Sequence, residues 1–165
     1  MIALVLGGAR SGKSAVAEAM CDRYPRVTYV ATASVGDDAD LAARVAAHRD
    51  RRPAHWVTVE VGGGDLAGAL QALVATEAVL VDSLTTWLAA APGFEIDADR
   101  LCAALAGRPG PTVVVSDEVG LGVHPSSEAG RVFRDRLGEL NRQVAAVADD
   151  VLLVVAGRVL PLARP

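Results

Sequence analysis

The stretch Gly7–Ser14 reads GGARSGKS and carries the clearest chemistry in the sequence. It fits the phosphate-loop pattern of a Gly, four free positions and then Gly-Lys-Ser, and it follows the strand-like apolar run Ile2–Leu6. Its three glycines allow the backbone N–H groups to turn inward toward phosphate oxygens, at the start of a helix whose N-terminus favours anions. Lys13, the only lysine in the chain, would reach the outer phosphates, and the Ser14 hydroxyl would bind Mg²⁺. The pattern predicts a nucleotide-phosphate site.

Phosphoryl chemistry also needs a carboxylate that helps to hold Mg²⁺, normally at the end of a neighbouring apolar strand. Asp82, which ends the run VLVD, is the better match, and Asp117-Glu118 after VVVS is the rival. Both positions have an ordinary structural explanation, because turns after strands favour Asp. We therefore expect Asp82 to have the metal or nucleotide role, with Asp117 or Glu118 as the alternative.

His48 is the third candidate, on a predicted helix over Asp40–Arg51. It shares a helical face with Leu41 and Val45, so a packed core histidine is one interpretation. The other interpretation is catalytic, because nearby cations disfavour the imidazolium and leave a ring nitrogen free to act as a nucleophile. Arginines would also hold a triphosphate. The arginines around it are Arg44, Arg49, Arg51 and Arg52.

The other polar positions are weaker candidates. His55 lies in a predicted turn and His124 precedes a proline, and structural roles are expected for both. Arg134 and Asn141 are seven residues apart on a predicted helix, for which a solvated face is favoured. The loop that follows Asp117 combines glycines, apolar residues and a proline, so substrate contact and a plain structural turn are both compatible with it.

The elements that must position these residues alternate between strands and helices, which predicts an α/β fold with a mostly parallel sheet and helices on both faces. Several strands are apolar on consecutive residues, as expected when both faces of a sheet are covered. In such sheets the carboxyl ends of the strands form the site, which selects Thr32, Glu60, Asp82 and Asp117-Glu118 besides the phosphate loop. The predicted strands are Ile2–Leu6, Val27–Ala31, Val57–Glu60, Ala78–Asp82, Thr112–Ser116 and Val151–Ala156. The predicted helices are Ser14–Arg23, Asp40–Arg51, Asp65–Thr76, Asp97–Ala106 and Ser127–Val147.

Composition sets the broad class. The 165 residues are expected to form one domain, 1–165, with 52% hydrophobic and 22% charged residues, as in a compact globular protein. A net charge of −4 without a basic tail argues against a nucleic-acid surface, and no apolar run reaches membrane-spanning length. The first strand begins at Ile2, which leaves no room for a signal peptide, so a cytoplasmic enzyme is expected. Cys21 and Cys102 lack metal-type spacing and are expected to be reduced and buried.

Taken together, the motifs resemble one family along nearly the whole chain. GGARSGKS is followed by YVAT, by AARVAAHRDRRPAHW with TVE, by VDSLTTW, by DEVGLGVHP and by RVFRDRLGELNRQVAAVADDVLLVVAG. This series is similar to the bifunctional adenosylcobinamide kinase / adenosylcobinamide-phosphate guanylyltransferase family of cobalamin biosynthesis. The His–Arg segment and the DEVGLG loop are far more specific than the phosphate loop.

The resemblance implies a P-loop NTPase-like domain that first phosphorylates adenosylcobinamide with ATP or GTP. It also implies a second reaction, in which GMP is transferred from GTP to adenosylcobinamide phosphate through a guanylylated histidine, and the matching residue is His48. Mg²⁺ is expected at Ser14 and Asp82. A cytoplasmic homotrimer with active sites near subunit interfaces is expected. The positions that match nucleotide contacts are Gly7, Gly8, Ala9, Arg10, Ser11, Gly12, Lys13, Ser14, Ala31, Thr32, Ala33, Arg49, Asp50, Arg51, Arg52, Glu60 and Asp82.

The chain departs from the family pattern in two places. The stretch between Trp87 and Pro111 is shorter than in many relatives, and Asp117 stands where relatives often carry Asn. Some relatives transfer nucleotide without the kinase step. The alternative function is a P-loop kinase or NTPase that acts on another small substrate and forms no covalent GMP intermediate.

Overall fold

The computed structural model describes residues 1–33 and 52–164, which include one seven-stranded sheet. β1 is buried along all six of its residues, as its unbroken apolar sequence predicts for a strand covered on both faces. The strand predictions are confirmed to within one residue at their ends. The strands are β1 (Ile2–Gly7), β2 (Val27–Ala31), β3 (Val57–Glu60), β4 (Ala78–Asp82), β5 (Thr112–Asp117), β6 (Asp150–Val155) and β7 (Arg158–Pro161).

The strand order is β3-β2-β4-β5-β1-β6-β7, and every neighbouring pair is parallel except β6 with β7. The carboxyl ends of six parallel strands therefore lie along one edge of the sheet. β7 was not predicted from the sequence. It pairs with β6 through the two-residue turn Ala156-Gly157, whose φ angles are 50° and 73°. Alanine seldom adopts a positive φ, so this hairpin has no obvious turn signature in the sequence.

The helices of the described residues also follow the predicted pattern, with one addition. The side chains of Asp65 and Asp97 cap two helices by accepting N–H bonds from Gly68 and Arg100, both at 2.9 Å. α3, which begins two residues after β4, was missed, although Ser83 caps it and forms a capping box with Thr86. The helices are α1 (Lys13–Cys21), α2 (Leu66–Ala72), α3 (Leu84–Ala90), α4 (Ala98–Ala106) and α5 (Glu128–Val147), with a 3-10 turn at Pro92–Phe94. The predicted helix Asp40–Arg51 lies outside the described residues.

Two apolar clusters cover the two faces of the sheet, which confirms the prediction of helices on both. One cluster contains the buried leucines of α2, α3, α4 and α5. The other packs Ala17 and Cys21 of α1 and the indole of Trp56 against β1, β2, β4 and β5. Cys21 is fully buried, whereas Cys102 is only partly so. In the part of the chain that is described, no helix has the length and apolarity needed to cross a membrane.

Candidate nucleotide site

The Gly7–Ser14 loop has backbone geometry that only glycine permits at two positions. A Cβ on Gly7 would collide with the Ser11 side chain and lie 2.7 Å from the Val154 carbonyl oxygen. Gly12 has a φ of 95° where it caps α1. The Gly157 N–H donates to the Ser11 carbonyl at 2.8 Å, so the β6–β7 turn braces the loop. These features fit a loop shaped by its backbone rather than by its side chains.

Lys13 is held by a carboxylate in this structure. Its Nζ lies 2.6 Å from Asp117 Oδ1 and 3.3 Å from the Gly8 carbonyl oxygen. Both side chains are largely shielded, with 13% of Lys13 and 22% of Asp117 exposed. The ammonium group therefore lies inside the loop, where it would meet the phosphates of a nucleotide.

Asp117 is itself fixed from three sides. It lies beside Gly7 in the parallel register of β5 with β1. Its backbone N–H donates to Thr85 Oγ1 at 2.8 Å, and its carbonyl accepts from Asn141 Nδ2 at 3.0 Å. The expectation of a solvated face was wrong for Asn141, which is buried on α5 because its amide reaches the end of β5. The sequence contained no signal for Thr85.

The loop after β5 begins against the phosphate loop. The Glu118 backbone N–H donates to the Gly7 carbonyl at 3.1 Å, and its Oε1 accepts from the Gly120 N–H at 2.8 Å. Farther along, exposed His124 contacts Arg134 through Nδ1 at 2.8 Å, so Arg134 braces this loop as well as pairing with Asp135. These contacts give His124 a structural partner, as expected from the sequence.

Asp82 ends β4, one strand from Asp117 and on the same sheet face, because it lies beside Val115 and alternate residues share a face. Its Oδ2 accepts a hydrogen bond from the Tyr29 hydroxyl at 2.8 Å. Burial, and next the charge of Asp82, raise the pKa of Tyr29 well above its ordinary value, so this phenol remains a donor. The sequence did not single out Tyr29, because a tyrosine within an apolar strand is usually a hydrophobic core residue.

Thr32, a predicted nucleotide contact, is completely buried behind the strand ends. Its Oγ1 lies 2.6 Å from the Ser83 carbonyl oxygen, accepts the Ser83 N–H at 2.8 Å and lies 2.7 Å from Thr86 Oγ1. These bonds occupy the hydroxyl, and the Thr32 backbone N–H donates to the Asp82 carbonyl at 3.3 Å, so in this structure Thr32 joins the ends of β2 and β4. The half-buried neighbours Ala31 and Ala33 flank it at the end of β2.

Glu60 lies at the β3 end of the same sheet edge, and Arg52 lies over Tyr29 of the neighbouring β2. The Arg52 guanidinium carbon lies 3.3 Å from the centre of the Tyr29 ring, and Nη1 donates to Thr58 Oγ1 at 3.3 Å. Glu60, which is exposed, pairs in register with Ala31 at the end of β3. His48, Arg49, Asp50 and Arg51 lie outside the described residues, so their sequence predictions remain predictions.

The side chains at this edge fit a magnesium ion that also contacts a nucleotide. Within the described ranges, His, Cys, Asp and Glu form no group of three or more that would hold a metal without other ligands. Mg²⁺ in phosphoryl-transfer sites needs less: a hydroxyl and a carboxylate or two, with phosphate and water supplying the rest. Ser14 and Asp82 offer that set, with Asp117 as the alternative carboxylate.

Solved structures that resemble this chain support the same fold. The flagellar accessory protein FlaH from Methanocaldococcus jannaschii superposes with a TM-score of 0.53 at 15% identity, over 96% of this chain and 74% of that one. A prototypical ATPase from the type III secretion system of pathogenic bacteria gives 0.56 at 13% identity, over 92% and 50%. The fold is that of the P-loop NTPases, with a mostly parallel sheet.

Sequence comparison is more specific. The bifunctional adenosylcobalamin biosynthesis protein CobU of Salmonella typhimurium is 39% identical over 176 residues, covering 95% of this chain and 97% of that protein. The corresponding protein CobP of Pseudomonas aeruginosa is 40% identical over 166 residues, covering 96% and 95%. The model of the cobinamide kinase / cobinamide phosphate guanyltransferase family matches residues 3–162. The chain therefore belongs to the cobinamide kinase / cobinamide phosphate guanyltransferase family.

Proposed function

We propose that this chain phosphorylates adenosylcobinamide with ATP or GTP and then converts adenosylcobinamide phosphate and GTP into adenosylcobinamide-GDP and pyrophosphate. The observation that carries the proposal is the shaped phosphate loop with its shielded Lys13, in a chain of this family. The family match supports both steps and does not favour a kinase of another small substrate.

In the kinase step, the substrate hydroxyl oxygen attacks the γ-phosphorus and releases its proton to water, while the bond to the nucleoside diphosphate breaks. The loop N–H groups and Lys13 hold the departing diphosphate and offset its growing charge. Ser14 and Asp82 would hold Mg²⁺, which neutralises phosphate charge when bound.

In the transfer step, a neutral imidazole nitrogen of His48 attacks the α-phosphorus of GTP, and the bond to pyrophosphate breaks. A phosphate oxygen of adenosylcobinamide phosphate then attacks the phosphorus of the His48-bound GMP, which breaks the P–N bond and restores the imidazole. The same loop would hold the β- and γ-phosphates as the leaving group. Arg49, Arg51 and Arg52 would offset charge near the reacting phosphorus. The same phosphate loop would thus bind the leaving group when the bond to the γ-phosphorus breaks in the first reaction and when the bond to the α-phosphorus breaks in the second.

The decisive experiment is covalent labelling. Incubation with α-labelled GTP and Mg²⁺ is expected to leave a label that is labile in acid and stable in base, as a phosphoramidate is. His48→Ala should abolish it, whereas His55→Ala, which alters an exposed turn histidine, should retain it. Retention of the label in His48→Ala would show that another residue is the nucleophile. Release of γ-phosphate without any covalent GMP would favour the alternative P-loop kinase or NTPase.

We also infer that the enzyme works in the cytoplasm as a homotrimer. Support for assembly comes from apolar side chains left exposed on and around β7, including Val159 at 45% and Leu160 at 56%. Analytical ultracentrifugation is expected to give three times the 17.0 kDa chain mass, and a monomer would contradict the inference.

A further inference from the structure

We propose that Tyr29 is a positioning residue of the nucleotide site, whose hydroxyl holds the metal-binding carboxylate of Asp82 and whose ring holds Arg52. The proposal rests on the function proposed above, because it takes Asp82 as the Mg²⁺ carboxylate and Arg52 as a phosphate ligand. It adds a residue that binds neither the metal nor the nucleotide itself.

The sheet register creates this arrangement. Tyr29 on β2 lies beside Leu80 of β4, and Asp82 is two residues farther along β4 on the same face. A tyrosine is long enough to span that diagonal, and its hydroxyl reaches Asp82 Oδ2 at 2.8 Å. On the other side Tyr29 lies beside Thr58 of β3, whose hydroxyl accepts from Arg52. The Tyr29 side chain therefore contacts Asp82 at the end of β4 and also Arg52, which precedes β3 in the chain and donates to Thr58 of that strand.

The two contacts of Tyr29 have different consequences. The hydroxyl donates to a carboxylate, which fixes the direction in which its oxygens face, as hydrogen bonds behind metal ligands generally do. The ring lies under the guanidinium at 3.3 Å, which limits the positions open to Arg52. Tyr29 as a residue is only 2% exposed, so neither contact can be replaced by rotation of its side chain into solvent. Arg52 Nε is buried and has no hydrogen-bond partner among the described residues.

Two substitutions separate these contacts. Tyr29→Phe keeps the ring under Arg52 and removes the hydroxyl, so the Mg²⁺ concentration that half-saturates GTP binding should rise about 10- to 100-fold. GTP affinity measured in EDTA should not change. Tyr29→Leu removes the ring as well, and should add a weakening of GTP binding in EDTA of about fivefold. Calorimetric titration with GTP at a series of Mg²⁺ concentrations measures both effects.

Tyr24→Phe is the matched control, because the Tyr24 ring centre also lies near an arginine, 5.0 Å from the Arg23 guanidinium carbon. Tyr24 precedes the amino end of β2, whereas the site lies at the carboxyl ends of the strands. The proposal is overturned if Tyr29→Phe requires no more Mg²⁺ than Tyr24→Phe. It is also overturned if Tyr29→Phe weakens GTP binding equally with and without Mg²⁺, which is what a merely structural role predicts. Thermal unfolding checks that each variant is folded. Because binding is measured without transfer, these results stand apart from the His48 labelling, and either proposal can fail alone.

Discussion

Replacing Asp117 by asparagine removes the carboxylate that holds Lys13 in the nucleotide-free loop while keeping the size of the side chain. To bind phosphate through Lys13, a nucleotide must draw the ammonium group away from Asp117 and leave that carboxylate unpaired near the phosphates. This costs free energy, which a neutral amide at this position would not impose. We therefore expect D117N to bind GTP more tightly than the wild type when no divalent metal is present.

The size of the effect follows from the geometry of the ion pair. At 2.6 Å and an effective dielectric constant of about 20, two unit charges attract by roughly 6 kcal/mol. Most of that is offset by the hydration that both groups give up, and hydrogen bonds to charged groups retain a net value of about 1.5–3 kcal/mol. When Lys13 leaves Asp117, the phosphates of GTP bind it instead, and this new contact restores part of the free energy lost with the ion pair. We expect the remaining gain in D117N to be about 1.4 kcal/mol, which is about tenfold in Kd.

The assay is calorimetric titration with GTP in EDTA and again in excess Mg²⁺. Glu77→Gln is the matched control, because Glu77 is 23% exposed, pairs with Arg26 at 3.2 Å and lies next to the opposite end of β4. It changes the net charge equally and should leave Kd unchanged. If D117N binds GTP no more tightly than this control in EDTA, the ion pair does not oppose binding and the reasoning is refuted. If the gain turns into a loss with Mg²⁺, Asp117 rather than Asp82 holds the metal.

Three further predictions concern the loop and the scaffold. Gly7→Ala should abolish GTP binding, because the added Cβ would lie 2.7 Å from the Val154 carbonyl oxygen. Gly8→Ala should bind GTP within a few-fold of wild type, because nothing lies within 4 Å of its added Cβ. Calorimetric titration with GTP compares the two variants. Arg108→Leu should lower the free energy of unfolding by about 2–4 kcal/mol in urea titrations, because the buried guanidinium donates to the carbonyls at residues 70, 74 and 77; no loss would refute this role. The Gly68 N–H and next Arg100 hold the pKa of Asp65 below its ordinary 3.8, so its charge stabilises the fold above that pH and this contribution is lost as pH falls through the lower folded value. Asp65→Asn should therefore have a lower Tm than wild type at pH 6, and the difference should shrink as the pH falls below 3.8; a constant difference would contradict this.

Local patterns were sufficient for most of the fold. Consecutive apolar residues in β1 and Asp65 as a helix cap were interpretable because each acts through its near neighbours in the chain. α3 and β7 were missed because both are short, with seven and four residues, so each gives only a weak periodic pattern. Ala156 adopts its positive φ only because strand pairing with β6 enforces the turn.

The amino-acid sequence by itself determined the phosphate loop and the edge of the sheet at which it lies. Glycine spacing, one lysine and the end of an apolar strand are short-range features, and their chemistry does not depend on what packs beside them. The sequence also placed Asp82 and Asp117 at strand ends, without choosing between their roles.

Tertiary structure alone decided which side chains meet at that edge. Strand order puts β5 beside β1, so Asp117 rather than Asp82 faces Lys13. Strand register lets Tyr29 reach Asp82 across 53 positions of sequence. Packing of α5 buries Asn141 against the end of β5, although its helix pattern favours solvent. These contacts depend on pairing between distant segments, which no local spacing encodes.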